Sequence, residues 1–141
     1  MKVYIATKFE DTEIYNNLKN KLEVKGYEIT CDWTKHKKVH PFSENKELCY
    51  SQSLEDVIGI EQADVMILLY NGKKGSGMSF EIGYATALGK KILMYAPNNE
   101  NMSTEDYSMF VHLENFIHVK SKTQLFDVLL NIEKGESLLN T

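Results

Sequence analysis

Short, continuous apolar runs alternate with amphipathic ones along this chain, and the alternation alone sets out the elements. Residues 3–6 and 27–31 are rich in β-formers and read as strands. Between them, residues 11–25 place Ile14, Leu18 and Leu22 near a 3.6 period, with Gly26 where a helix C-cap would stand. Residues 32–43 are polar and irregular, broken by Pro41, and a longer helical pattern fills residues 47–62. Residues 65–70 are apolar without alternation, as in a central parallel strand covered on both faces. A glycine-bearing loop, 71–77, leads to a helix over 78–88 closed by Gly89, then a strand at 91–95. A polar loop, 98–108, a fifth strand at 116–119 and a last helix at 123–133 complete the series. Strand–helix alternation of this kind predicts a parallel sheet flanked by helices, with ligands bound beyond the carboxyl ends of its strands. The loops after residues 6, 31 and 70 are therefore where chemistry is expected.

Composition narrows the picture. The 141 residues suit one domain, 1–141, and 43% hydrophobic residues suffice for a core. Cys31 and Cys49 form no CxxC pattern, so a disulfide scaffold and a zinc ribbon are both excluded, and reduced thiols in a cytoplasmic protein are expected. The longest apolar run falls far short of the roughly 18 residues of a membrane span, and residues 1–8 read as a strand rather than a leader. A net charge of −4 argues against a nucleic-acid polymer as partner.

Two glycine motifs fail on inspection. Residues 75–80 lack the third glycine of a dinucleotide fingerprint and follow the third strand, and residues 83–90 are one residue too long for a P-loop. Glu81 is more informative. Placed in the first turn of the helix over 78–88, it is either a capping carboxylate or one kept ionised by N–H dipoles and competent as a nucleophile. Asp56 shares a helical stripe with Ile60 and Ala63, and one strand and one loop separate it from Glu81, so both carboxylates can converge on one pocket. Paired carboxylates are what cleavage at an anomeric carbon requires. His36 and His40 lack a third metal ligand at persuasive spacing; with Lys35, Lys37, Lys38 and Lys8 they suit a phosphate better. Trp33 is either a packed loop anchor or a lid that stacks on a base.

The segments Ala63-Asp64-Val65-Met66-Ile67, Gly77-Met78-Ser79-Phe80-Glu81-Ile82-Gly83-Tyr84-Ala85 and Ala87-Leu88-Gly89-Lys90 resemble the nucleoside 2-deoxyribosyltransferase family, which includes deoxynucleoside 5′-monophosphate N-glycosidases. Val3-Tyr4-Ile5-Ala6 and Asp32-Trp33-Thr34 also resemble its bacterial branches, so the likeness spans about residues 2–95. It implies a flavodoxin-like three-layer α/β sandwich with a central, mostly parallel sheet of about five strands. It implies Glu81 as covalent nucleophile, Asp56 as the acid that handles base or sugar, and Tyr4 beside the nucleophile. Substrate contacts then come from Thr7, Lys8, Trp33, Gly75, Ser76, Gly77 and Ser79. No metal or organic cofactor is implied, and homodimers or higher oligomers are, because transferases of this family complete the pocket from a neighbouring subunit.

Two departures bear on substrate choice. Gly75 stands where transferases tend to carry an acid and phosphate-binding relatives a serine, and Thr7-Lys8-Phe9 replaces a Gly- or Ser-rich first loop. The expected activity is cleavage of the N-glycosidic bond of a nucleoside or its 5′-monophosphate, with transfer to water or another base. The rivals are a non-catalytic sensor of a nucleotide-derived ligand and a structural homodimerisation domain.

Overall fold

The computed structural model describes residues 1–8, 10–97 and 102–135; Phe9, residues 98–101 of the expected polar loop and the last six positions of the 1–141 domain lie outside them. Five strands, β1 (Lys2–Ala6), β2 (Glu28–Ile29), β3 (Val65–Leu69), β4 (Lys91–Tyr95) and β5 (Phe116–His118), form one sheet in the order β2-β1-β3-β4-β5. Every pairing is parallel. Four helices accompany it: α1 (Thr12–Val24), α2 (Lys46–Gln62), α3 (Ser76–Ala87) and α4 (Lys122–Lys134).

The pleat sorts the core into two layers. Val3, Ile5, Val65, Ile67 and Leu69 pack on one face with Leu18 and Leu22 of α1 and with Leu125, Val128 and Leu129 of α4. Tyr4, Ala6, Met66 and Leu68 pack on the other with Ile60 of α2 and with Met78, Ile82 and Ala85 of α3. All five residues of β3 are buried, as its unbroken apolar run requires. Gly26 and Gly89, expected as helix stops, both hold positive φ (91° and 73°), where a side chain would be strained.

Most element ends move by a residue, and three differences from the sequence pattern are larger. β2 covers two residues instead of five: the Thr30 amide still bonds the Val3 carbonyl of β1, but its hydroxyl donates to the Gly59 carbonyl at 2.7 Å, which ties the end of the strand to α2. α3 begins two residues early: Gly75 is extended, and the Ser79 amide bonds the Gly75 carbonyl at 3.1 Å to close the first turn. Between β4 and β5 the described chain holds 3-10 turns, Thr104–Asp106 and Met109–His112, where the polar loop showed no pattern.

The order places the functional end of the sheet. From β1 the chain crosses through α1 to β2 on one side, and from β3 through α3 to β4 on the other. The carboxyl ends of β1 and β3 therefore open a crevice between diverging connections.

Candidate active site

Tyr4 is on the α2/α3 face of β1 and is 1% exposed. Its hydroxyl donates to Oε2 of Glu81. Glu81 lies in the second turn of α3, not the first, because the helix starts at Ser76. This corrects the expectation of a dipole-held carboxylate, since the helix N-terminus acts within its first turn. Instead Glu81 shares the inward stripe of Met78, Ile82 and Ala85. Burial there pushes its carboxyl up to about 8, with the Tyr4 hydrogen bond pulling it down and the Asp56 charge adding to the rise.

Asp56 comes from α2, one turn before Gly59 and Ile60, the two buried residues of that helix. The Cys31 thiol donates to Oδ1 of Asp56 at 3.4 Å. Burial raises the Asp56 carboxyl too, against the His36, Cys31 and Tyr4 contacts that lower it. Tyr4 is held neutral, its hydroxyl raised far above the usual range by burial first and then by the charges of both carboxylates. Gly59 makes this proximity possible. A Cβ there would stand 2.8 Å from Cβ of Cys31 and 3.2 Å from the Tyr4 ring.

These groups border a cavity of about 650 Å³. Of the residues named from sequence, Tyr4, Asp56, Glu81, Thr7, Lys8, Trp33, Gly75, Ser76 and Gly77 all line it. Ser79 does not: it borders a second cavity of about 530 Å³, where its hydroxyl lies 3.5 Å from that of Tyr107. Trp33 is 5% exposed and packs edge-on against Tyr15 with ring centroids 5.0 Å apart, so only its margin reaches the cavity and the anchor reading fits it. A Cβ on Gly75 or Gly77 would meet nothing within 4 Å, which leaves the first turn of α3 open to a ligand.

The sequence reading missed the wall that α2 contributes. Cys49, Gln52, Ser53 and Asp56 line the cavity at i, i+3, i+4 and i+7, a helical stripe of small and polar residues that the pattern already contained. It also missed how the segment after β2 is fastened over the site. The Lys37 amide donates to Oε1 of Gln52 at 2.6 Å, and Nε2 of Gln52 donates to the Lys37 carbonyl at 3.0 Å. His36 joins Glu55 through Nε2 at 2.8 Å and faces Asp56 through Nδ1 at 3.9 Å. Val39 and Phe42, the latter 71% exposed, add apolar surface to the rim.

Two solved structures share this architecture. The CMP N-glycosidase BcmB of Clostridium botulinum is 21% identical, with a TM-score of 0.56 over 92% of this chain and 98% of that one. The 2-deoxyribosyltransferase of Bacillus psychrosaccharolyticus is 15% identical, with a TM-score of 0.62 over 89% of this chain and 90% of that one. At these identities the likeness carries the fold. A comparison with curated protein sequences finds no match. The family model for nucleoside 2-deoxyribosyltransferase matches residues 3–129, wider than the segments that first suggested it and reaching from β1 through β5 into the first two turns of α4. The chain belongs to the nucleoside 2-deoxyribosyltransferase family, a family of enzymes.

Proposed function

We propose that this enzyme cleaves the N-glycosidic bond of a nucleoside 5′-monophosphate through a glycosyl ester on Glu81. The observation that carries the reading is the Tyr4 hydroxyl bonded to Glu81 inside a cavity that Asp56 also lines. A buried carboxylate and a half-buried one that repel one another share one proton in this reading. The buried Glu81 holds that proton at rest; when it passes to Asp56, Glu81 is ionised and its oxygen attacks C1′ of the sugar. The C1′–N bond breaks, its electron pair leaves with the base, and Asp56 gives the base its proton. Positive charge develops at C1′ in an oxocarbenium-like transition state, which favours an anionic oxygen over a hydroxyl as the facing group. Tyr4 donates to Glu81 throughout and stays protonated. Asp56, now ionised, takes a proton from water as the water oxygen attacks C1′, which releases the sugar and restores Glu81. A second base in place of water gives transfer.

The sugar's 5′-phosphate fits the open first turn of α3 at Gly75, Ser76 and Gly77, in a cavity that Lys8, Lys37 and Lys38 also line. Residues 1–141 act as one catalytic domain in this reading, in a reducing, cytoplasmic setting that suits free Cys31 and Cys49. Among the described residues no helix is long and apolar enough to cross a membrane. Base release from a panel of nucleosides and their 5′-monophosphates, followed by chromatography, tests the activity. Release from any of them that Glu81→Ala abolishes supports it, and no release from the whole panel defeats it.

A further inference from the structure

Two observations on the wall of the cavity point beyond glycosidic cleavage. First, Sγ of Cys31, a ring nitrogen of His36 and a carboxylate oxygen of Asp56 all lie within 4.8 Å of one another. Two of the separations are 3.4 Å, Sγ to Oδ1, and 3.9 Å, Nδ1 to Oδ1. Ligand atoms about 2.0–2.3 Å from a tetrahedral zinc stand roughly 3.3–3.6 Å apart, so the donors are within a few tenths of an ångström to about 1 Å of a zinc-sized triangle. Second, the far side of the imidazole is already engaged. Nε2 of His36 contacts Oε2 of Glu55 at 2.8 Å. A carboxylate oxygen accepts, so Nε2 carries the hydrogen, and in the neutral ring that a metal requires the lone pair is then on Nδ1, facing Asp56. A carboxylate behind a histidine whose other nitrogen faces further ligands is the usual outer partner of a zinc-bound imidazole.

The pattern of His36 and His40 could not show this. His40 is exposed and is not among the three, and Cys31 and Asp56 reach His36 only because the chain leaves β2 toward α2. Thiolate, imidazole and carboxylate together form a borderline-soft set that suits zinc rather than magnesium or calcium. Three protein ligands also leave a fourth position, on the side of the cavity that both His36 and Asp56 line.

We propose that Cys31, His36 and Asp56 bind one zinc ion at the cavity wall, with Glu55 supporting His36, and that zinc bound there switches the enzyme off. The switch, though not the site, rests on the role given to Asp56 above. On binding, the Cys31 thiol loses its proton to solvent, the sulfur becomes a thiolate ligand, and the contact from Sγ to Asp56 is replaced by two bonds to the metal. Asp56 then has no proton to give a departing base.

Cobalt(II) replaces zinc as the probe, added to the EDTA-treated full chain. The expected result is a thiolate-to-cobalt charge-transfer band in the near ultraviolet, displaced by zinc. Cys31→Ser should lose the band and Cys49→Ser should keep it. His36→Asn should weaken binding as well, so the site remains testable if Cys31→Ser fails to fold by circular dichroism. Glu55→Gln, at an exposed position that touches no metal, should weaken it about tenfold to a hundredfold. Zinc should abolish base release by the wild type, and EDTA should restore it. Absence of the band in the wild type, its survival in Cys31→Ser, undiminished cobalt affinity in His36→Asn, or loss of the band in Cys49→Ser overturns the site. A band without inhibition overturns the switch. A protein that binds cobalt as described yet releases no base from any nucleotide defeats the glycosidase reading and leaves the site standing.

Discussion

Glu81 answers to three neighbours at once: the apolar stripe that buries it, the Tyr4 hydroxyl that bonds it and the Asp56 charge that repels it. Its carboxyl, held at about 8, is above its unfolded value of 4.5, so the folded protein binds the extra proton between those pH values. The sign follows from linkage: the stability is full below about 4.5 and is lost as pH rises toward 8. Glu81→Gln removes that loss. It should stabilise the protein by up to about 3 kcal/mol at pH 7 while abolishing cleavage, and denaturation at pH 5 and pH 8 should show the gap widening with pH. A destabilised Glu81→Gln protein would mean that the carboxylate is structural. The same pair fixes the pH dependence of turnover. If the active form holds one proton on Asp56 and none on Glu81, kcat/KM is bell-shaped and falls above about 8. Asp56→Asn should cost at least about a hundredfold in rate. It should also replace the bell by a simple rise with pH, because only the ionisation of Glu81 then matters. A wild-type rate that keeps climbing past pH 9 would take the proton away from Asp56.

Elements carry these residues into place, and here the limits of a linear pattern are physical. Strand β3 was legible because five consecutive apolar residues have one plausible setting, and α1 and α3 were bracketed by Gly26 and Gly89. The start of α3 was not, since neither Gly75 nor Ser76 signals which of them leaves the extended region. Those two residues move Glu81 from the first turn to the second and reverse its electrostatics from dipole-held anion to buried acid. Cys31 was not legible as a partner of Asp56 either, because that contact depends on β2 ending early. Gly59 is the element-scale consequence. Its missing side chain lets α2 approach β1 and β2, and Gly59→Ala should destabilise the protein by about 1–3 kcal/mol through overpacking against Cys31 and Tyr4. Base release should drop with it, since Tyr4 must shift; an unchanged midpoint in urea would show that α2 yields freely. The first turn of α3 makes a second claim. With Gly75, Ser76 and Gly77 open and Lys8 and Lys38 lining the same cavity, kcat/KM should be higher for a 5′-monophosphate than for its nucleoside. Lys8→Ala and Lys38→Ala should erode that preference and leave the nucleoside rate alone. Equal values for the wild type would remove the phosphate from the reading.

At the scale of the molecule, the same two helices that hold Asp56 and Glu81 on their inner sides leave apolar residues on their outer ones. Tyr50, Leu54 and Ile58 recur every four residues along α2 and are 69%, 41% and 41% exposed. On α3, Phe80 is 58% exposed and stacks on Tyr84 with ring centroids 6.0 Å apart. A sheet that packs both faces needs nothing more from these residues, and a helix that leaves a second apolar stripe outward has surface suited to a partner. Placing a second copy there would cover α2 and α3 together and so stiffen both carriers of the carboxylates. The expectation is a homodimer in which Ile58→Asp, at the C-terminal end of the α2 stripe, yields a monomer. Light scattering after gel filtration reads the mass directly. Because Ile58 is exposed in the single chain, the charge costs the isolated fold little, and circular dichroism should be unchanged. If pairing steadies α2, the monomer should also lose part of its base release, most visibly in kcat. A wild type that is already monomeric at micromolar concentration would leave the outward stripe without a partner and the two carboxylates positioned by one chain alone.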